Sequence, residues 1–296
     1  MSKIIRISDT GYPAMLKTIY QAPPRLYIKG NLIIGLNETN APAIAIVGSR
    51  RATSYGLNAA YSIAQELSES GITVVSGLAE GIDAAAHRGA LEGRGKTIAV
   101  LGCGVDVVYP WINKGLYGKI KKEGSLISEL PDGTPPRGKQ FPSRNRIISG
   151  LCAGVLVVEG AERSGTLITA DMALEQGREV FALPGPVTSR YSTTPNKLLK
   201  AGASLVESAR DIIDCLGLKP HFRICANMEE GAYPGIEDLN REEKSVMCAV
   251  GHTPKLFTQI VDETGLQCEK VSSILVMLEI KRIVDRNLDG QYVLVV

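Results

Sequence analysis

The hydrophobic pattern of the chain changes character along its length. Residues 1–40 carry little periodicity. Tyr12-Pro13 and Pro23-Pro24 interrupt them, and only residues 25–28 read as a short strand. From Ala43 the pattern sharpens. Ile44, Ala45, Ile46 and Val47 form a continuous apolar run, as expected of a strand buried on both faces. Similar runs stand at 73–76, 97–101, 155–158 and 179–183, with weaker ones at 125–128 and 204–206. Helical spacing fills the gaps. Ala60, Ile63, Ala64 and Leu67 share one stripe of a helix over 55–70, and further helices are predicted near 82–92, 166–176 and Ile212-Ile213. Strand and helix in repeated alternation predict an α/β fold, a doubly wound parallel sheet over residues 41–215.

Regular spacing fades over residues 216–235, where Pro220, Gly231 and Pro234 fall, and this stretch reads as a linker. Residues 236–296 differ again. Helices are predicted at 241–250, 255–264 and 269–280, the second stopped by Gly265. A hairpin then runs from Ile283-Val284 through Asp289-Gly290 to residues 292–295. Three helices and a hairpin predict a winged helix-turn-helix domain.

Charge follows the same division. The chain of 296 residues has a net charge of +2, too small to argue for a polyanionic partner. Residues 236–296, however, hold 7 Lys/Arg against 10 Asp/Glu, so the basic excess lies in the larger N-terminal part. The cysteines (Cys103, Cys152, Cys215, Cys225, Cys248 and Cys268) show no zinc-type spacing and read as reduced, buried thiols. The N-terminus lacks the apolar core of a signal peptide, and no run approaches the ~20 apolar residues of a membrane span. A cytoplasmic protein is expected.

Ligands of doubly wound sheets bind beyond the carboxyl ends of strands. Glycines stand at those ends here: Gly48, Gly77, Gly102, Gly160 and Gly185. Gly48-Ser49-Arg50 joins the first strong strand to the first helix, where backbone amides can cradle a phosphate. The plainer reading is a tight turn with a solvated arginine. The loop matches neither G-x-G-x-x-G nor G-K-[ST], which removes the best support for a dinucleotide or ATP cofactor. Residues 141–150, Phe141-Pro142-Ser143-Arg144-Asn145-Arg146-Ile147-Ile148-Ser149-Gly150, set two arginines and an asparagine at a turn-to-helix entrance. Arg137 and Lys139 lie just upstream. Such donors suit an anion, although a wet basic face before a core helix has the same pattern. Ser164-Gly165-Thr166 opens a later helix as either a cap or an anion cradle. Asp83 and His87, four apart, are expected to order the loop at 76–83, since no nucleophile elbow accompanies Ser76. Cations converging on one sheet edge without a general base suggest binding of a polyanion, not chemistry on it.

Four motifs together carry a resemblance. Gly48-Ser49-Arg50, Ser76-Gly77-x-Ala79-x-Gly81-Ile82-Asp83, the 141–150 stretch and Ser164-Gly165-Thr166-Leu167 resemble the DprA/Smf family of DNA-processing proteins, in family order. The resemblance implies a Rossmann-like domain without a nucleotide cofactor or metal, single-stranded DNA binding, homodimerisation and delivery of that DNA to the recombinase RecA during natural transformation or recombination, with no catalysis. By motif match, Arg50 and Lys139 should grip phosphates. Arg144 and Arg146 carry over either as contacts or as braces. Phe141 either stacks a base or anchors the core. An alternative is a nucleotide hydrolase of the lysine-decarboxylase-like Rossmann group, but no glutamate follows Gly165-Thr166 where that group needs one. For the winged helix, with Lys270 as the one cation on its third helix, a protein contact or a weak auxiliary contact to duplex DNA is expected.

Overall fold

The computed structural model describes residues 2–30, 42–218 and 239–294, apart from residues 94, 163, 252–254, 282 and 288–289. Contacts divide the chain into two compact units, Met1–Phe222 and Arg223–Val296. The expected linker at 216–235 lies almost wholly outside the described residues. Leu216 and Leu218, at its start, pack against the first unit's core.

The first unit is a nine-stranded sheet flanked by helices. It begins with β1 (Lys3–Arg6), the short helix α1 (Ala14–Lys17) and β2 (Arg25–Gly30). The strong pattern starts with β3 (Ala43–Val47), α2 (Ser54–Glu69), β4 (Thr73–Ser76), α3 (Ile82–Glu92) and β5 (Thr97–Val100). Next come α4 (Lys114–Glu123), β6 (Ser125–Ser128), α5 (Gln140–Gly150) and β7 (Gly154–Val157). The unit ends with α6 (Gly165–Glu175), β8 (Glu179–Ala182), α7 (Thr193–Lys200), β9 (Ser204–Leu205) and α8 (Ala209–Cys215). Strand order is β1-β2-β6-β5-β4-β3-β7-β8-β9.

From β3 onward every pairing is parallel, as the doubly wound fold requires. Winding runs outward from β3 to β6, then restarts at β7 on the other side of β3, which makes the β3–β7 boundary the topological switch point. Period-two alternation explains why β3 is apolar throughout. Ala43, Ala45 and Val47 face one layer with Ile147, Ile148 and Val155, whereas Ile44 and Ile46 face the other with Ile63, Ala64 and Leu67.

Residues 1–40 are not set apart from the sheet. β2 pairs antiparallel with β6, and β1 with β2, so the described part of this segment extends the sheet on one side. Its weak sequence signal has a physical cause: β1 buries Ile5 alone. Besides the four-residue α1, two later helices escaped the pattern reading. α4 is mostly polar and docks through Leu116, Tyr117 and Ile120, and α7 is only eight residues long.

The second unit holds α9 (Arg241–Val250), α10 (Phe257–Thr264), α11 (Cys268–Ile280) and the hairpin of β10 (Val284–Arg286) with β11 (Tyr292–Leu294). Val246, Val250, Ile260, Val271, Leu275 and Leu278 form its own core. A capping box between Asn240 and Glu243 starts α9, and Gly265, at φ 64°, ends α10 in the left-handed conformation. This is the winged helix expected from the pattern.

The cysteines are only partly the buried set expected. Cys103 and Cys152 are buried, Cys248 is half-buried, and Cys215 and Cys268 are exposed. Cys225 lies outside the described residues. Among those residues no helix is long and apolar enough to cross a membrane.

Candidate nucleic-acid interface

The loops after β3, β4 and β5 meet at one end of the sheet. The Ile82 amide donates to the Ser49 carbonyl at 3.2 Å, so the first two loops touch through backbone. Gly81 makes this possible: its φ is +78°, and a Cβ there would collide with that same Ser49 carbonyl. Gly48 packs equally close against Ile82. Gly48 and Ser49 therefore shape the loop, and the Ser49 hydroxyl is engaged by the Arg51 amide at 3.1 Å.

Beneath these loops lie two buried charges. Arg144, 5% exposed, reaches from α5 under the sheet end. Its Nη1 donates to the carbonyl of Gly77, just past β4, at 2.9 Å, and also to the carbonyl of Val100, the last residue of β5. Its Nε donates to Asn145 Oδ1 at 3.3 Å. Burial pulls the guanidinium down to about 10, the nearby Asp83 carboxylate opposes that, and Arg50 adds to it. Asp83 accepts from the Gly77 and Ala79 amides at 3.1 and 3.4 Å. Its pKa is raised by burial, against the pull of Arg144 and these amides. Between them stands Leu78 at φ 57°, a conformation that costs a non-glycine residue free energy. Asn113 secures it by donating to the Leu78 and Ala79 carbonyls at 3.1 and 3.2 Å.

Above this base the surface is cationic and aromatic. Arg50 is exposed, with its guanidinium 5.5 Å from the centre of the Phe141 ring. Tyr109 stacks on Phe141 at 5.4 Å and 29°. Phe141 also lies against Gly102, where a Cβ would come within 2.8 Å of the ring. Phe141 is thus half-buried among three neighbours, and Tyr109 presents the more open ring. Arg50, Gly77, Gly102, Tyr109, Phe141 and Arg144 line a shallow pocket together with Glu80 and Cys103. Glu80 is an exposed acid in an otherwise basic rim. Burial pushes the Cys103 thiol up to about 11, so it stays protonated at neutral pH.

The other predicted residues lie outside this pocket. Lys139 is exposed at the start of α5, two residues before Phe141. Asn145 is half-buried and holds Arg144. Arg146 forms a 2.6 Å ion pair with Glu129, both partners largely shielded, and so ties α5 to the end of β6. Ser164, Gly165 and Thr166 open α6 after the neighbouring strand β7. The Ser164 hydroxyl caps no helix amide, Gly165 is open, and Thr166 is buried.

Two features differ from the sequence reading. A buried carboxylate stands at the entrance of α2. Glu159, 3% exposed, accepts from the Thr53 amide at 2.9 Å and the Thr53 hydroxyl at 2.5 Å, and its carboxylate packs on Gly56. A carboxylate of the protein itself thus sits at the N-cap of α2, beside the switch point. His87 does not pair with Asp83. Its Nδ1 meets Thr97 Oγ1 at 2.7 Å, below the loop rather than within it. Tyr109, Asn113 and Glu159 were missed as site residues. The Tyr109-Pro110 pair in a strand-end loop was a readable signal for the first. The other two act through partners far away in the chain.

Fold and site together define a doubly wound α/β protein of Rossmann type. Its strand-end loops carry a cation–aromatic cluster in place of a dinucleotide loop, and a winged helix follows. The chain belongs to the DprA/Smf family: the family model described as DNA recombination-mediator protein A matches residues 3–217, and the DprA winged helix domain matches residues 230–290. It is 45% identical over 207 residues to DNA processing protein DprA of Streptococcus pneumoniae, covering 70% of this chain and 72% of that one. It is 36% identical to protein Smf of Synechocystis over 96% of this chain and 78% of the relative. The crystal structure of the S. pneumoniae protein superposes with a TM-score of 0.68 at 44% identity, over 72% of this chain and 74% of that one. DNA processing protein A of Helicobacter pylori, whose structure concerns its single-stranded DNA binding mode, superposes at 0.63 with 27% identity, over 73% of this chain and 98% of that one.

Proposed function

We propose that this protein binds single-stranded DNA without sequence preference through the strand-end loops of its first unit, and performs no chemistry on it. The observation that carries the reading is the exposed Arg50 guanidinium set against Phe141 and Tyr109 at the mouth of the pocket. Phosphate contacts from arginine and stacking surfaces for bases are what sequence-tolerant strand binding requires. Lys139, exposed two residues from Phe141, supplies a second phosphate contact. Arg144 and Arg146 act as braces, because backbone carbonyls and Glu129 engage them. The single-stranded DNA binding of the H. pylori relative supports the same ligand.

Four groups that the sequence offers for a hydrolysis are engaged or buried in the fold. Asp83 holds two amides, His87 is fully buried, Ser76 donates to the Ile46 carbonyl at 2.6 Å, and Glu159 holds Thr53. Following the family, the bound strand is handed to RecA in natural transformation or recombination, in the cytoplasm, by a homodimer. Among the described residues β9 is an edge strand with Leu205 half exposed, a surface on which a second copy can pair. The winged helix contributes a protein contact rather than a strong DNA contact. On α11, Val276, Met277 and Ile280 are exposed, and Lys270 is held by Glu242 at 2.6 Å.

Fluorescence anisotropy of a labelled oligothymidylate tests the reading. Wild-type affinity is expected to fall steeply with salt, and each lost phosphate contact to flatten the log–log slope by about 0.7. The double substitution Arg50→Ala, Lys139→Ala should therefore weaken binding and reduce that slope by about 1.4. Undiminished affinity in the double variant, or an affinity indifferent to salt, overturns the proposal.

A further inference from the structure

Trp111 is the only tryptophan of the chain, and it is 69% exposed. Tryptophan is on average highly buried in folded proteins. Its neighbours Tyr109 and Ile112 are 39% and 76% exposed, which makes a local patch and not a single stray side chain. The patch is firmly held. Trp111–Asn113 form a short 3₁₀ turn, and the buried Asn113 is bonded to the carbonyls of Leu78 and of Ala79, a residue of the pocket wall.

A cation stands over the exposed ring: Lys114 Nζ lies 4.5 Å from the centre of Trp111. This repeats the arrangement of Arg50 over Phe141. Tyr109 links the two pairs, since it stacks on Phe141 and lies two residues from Trp111. Their Cα atoms are no more than about 8 Å apart. An aromatic face flanked by a cation offers stacking to a base and a counter-charge to its phosphate. A protein-docking patch would share the aromatics, but lysine is depleted from the centres of such interfaces, so Lys114 over the ring favours a phosphate-bearing ligand.

We propose that Trp111 is a second base-stacking platform and Lys114 its phosphate contact. A strand engaged at Phe141 and Tyr109 continues across the 109–114 turn, with one of its bases on the Trp111 ring. The inference rests on the single-stranded DNA reading above and extends its path beyond the pocket.

The lone tryptophan makes the test direct. The full-length protein is titrated with oligothymidylate while tryptophan emission and the anisotropy of a labelled oligonucleotide are followed in parallel. Emission should quench with the same midpoint as the anisotropy rise. Trp111→Ala should weaken binding by about 5- to 150-fold, the range for losing one base–aromatic stack, while Trp111→Phe keeps most of the affinity. Circular dichroism should show both variants folded, since the side chain is exposed. An anisotropy rise without quenching, or quenching with Trp111→Ala binding as tightly as wild type, overturns the platform and leaves the single-stranded DNA reading standing. No anisotropy rise at all overturns both.

Discussion

His87 shows how one buried side chain sets a pH response. Thr97 Oγ1 donates to the Val74 carbonyl at 2.8 Å, so it must accept from His87, which assigns the proton to Nδ1. Nε2 is buried with no hydrogen-bond partner among the described residues. Burial, then the positive charge of Arg144, lowers the imidazole from 6.5 to about 3. The native state thus binds this proton more weakly than the unfolded chain. The stability this group contributes is complete above about 6.5 and is lost as pH falls towards 3. By pH 5 the loss from this group is about 2 kcal/mol. Asp83, raised by burial, has the opposite sign and softens the loss in acid. Urea unfolding at pH 7 and pH 5 should show a drop in wild type that shrinks to less than half in His87→Leu; an unchanged drop would assign the acid sensitivity elsewhere. Glu80 poses the converse question at the surface. It is an exposed acid on the pocket rim, so Glu80→Gln should tighten oligonucleotide binding severalfold at low salt, with the gain fading as salt screens it. A weaker complex at low salt would mean that Glu80 makes a favourable contact.

At the scale of elements, what the sequence revealed depended on range. β3, β4, β5 and β7 were legible because burial on both faces leaves continuous apolar runs. β1, α4 and α7 were not, because each is short or mostly polar and is held by what it packs against. The site divides in the same way. Arg50 and Phe141 stood out in local motifs, whereas the Arg144–Gly77 and Thr53–Glu159 bonds span 67 and 106 residues and leave no local trace. The second of these changes the role of α2. With Glu159 bonded to the N-cap residue Thr53, the helix has a negative charge of the protein's own at its positive end. Glu159→Ala leaves the partly buried donors of Thr53 unmet and should destabilise the protein by about 1–3 kcal/mol in a denaturant titration. Single-strand affinity should stay close to wild type, because the groups it frees are donors. A large loss of affinity with the fold intact would place the α2 entrance within the DNA path after all.

For the whole molecule, the proposed strand binding falls to one unit on the uneven spread of charge. The first unit carries the basic excess and the cation–aromatic edge. Residues 236–296 hold 7 basic against 10 acidic side chains, and the lysine on α11 is already paired with Glu242. Electrostatics dominates non-specific affinity for nucleic acid, so a unit with a net negative charge adds little to it. Each unit has a core of its own, which makes separation at their boundary physically reasonable. A chain ending at residue 222 should unfold cooperatively and bind oligothymidylate within about threefold of the full-length protein, a difference below 1 kcal/mol. Its salt slope should match that of the full chain, since the same phosphates are neutralised. Collapse of affinity in a folded truncation, or a slope shallower by one contact or more, would show that the winged helix grips the strand and would reverse the division of labour argued here.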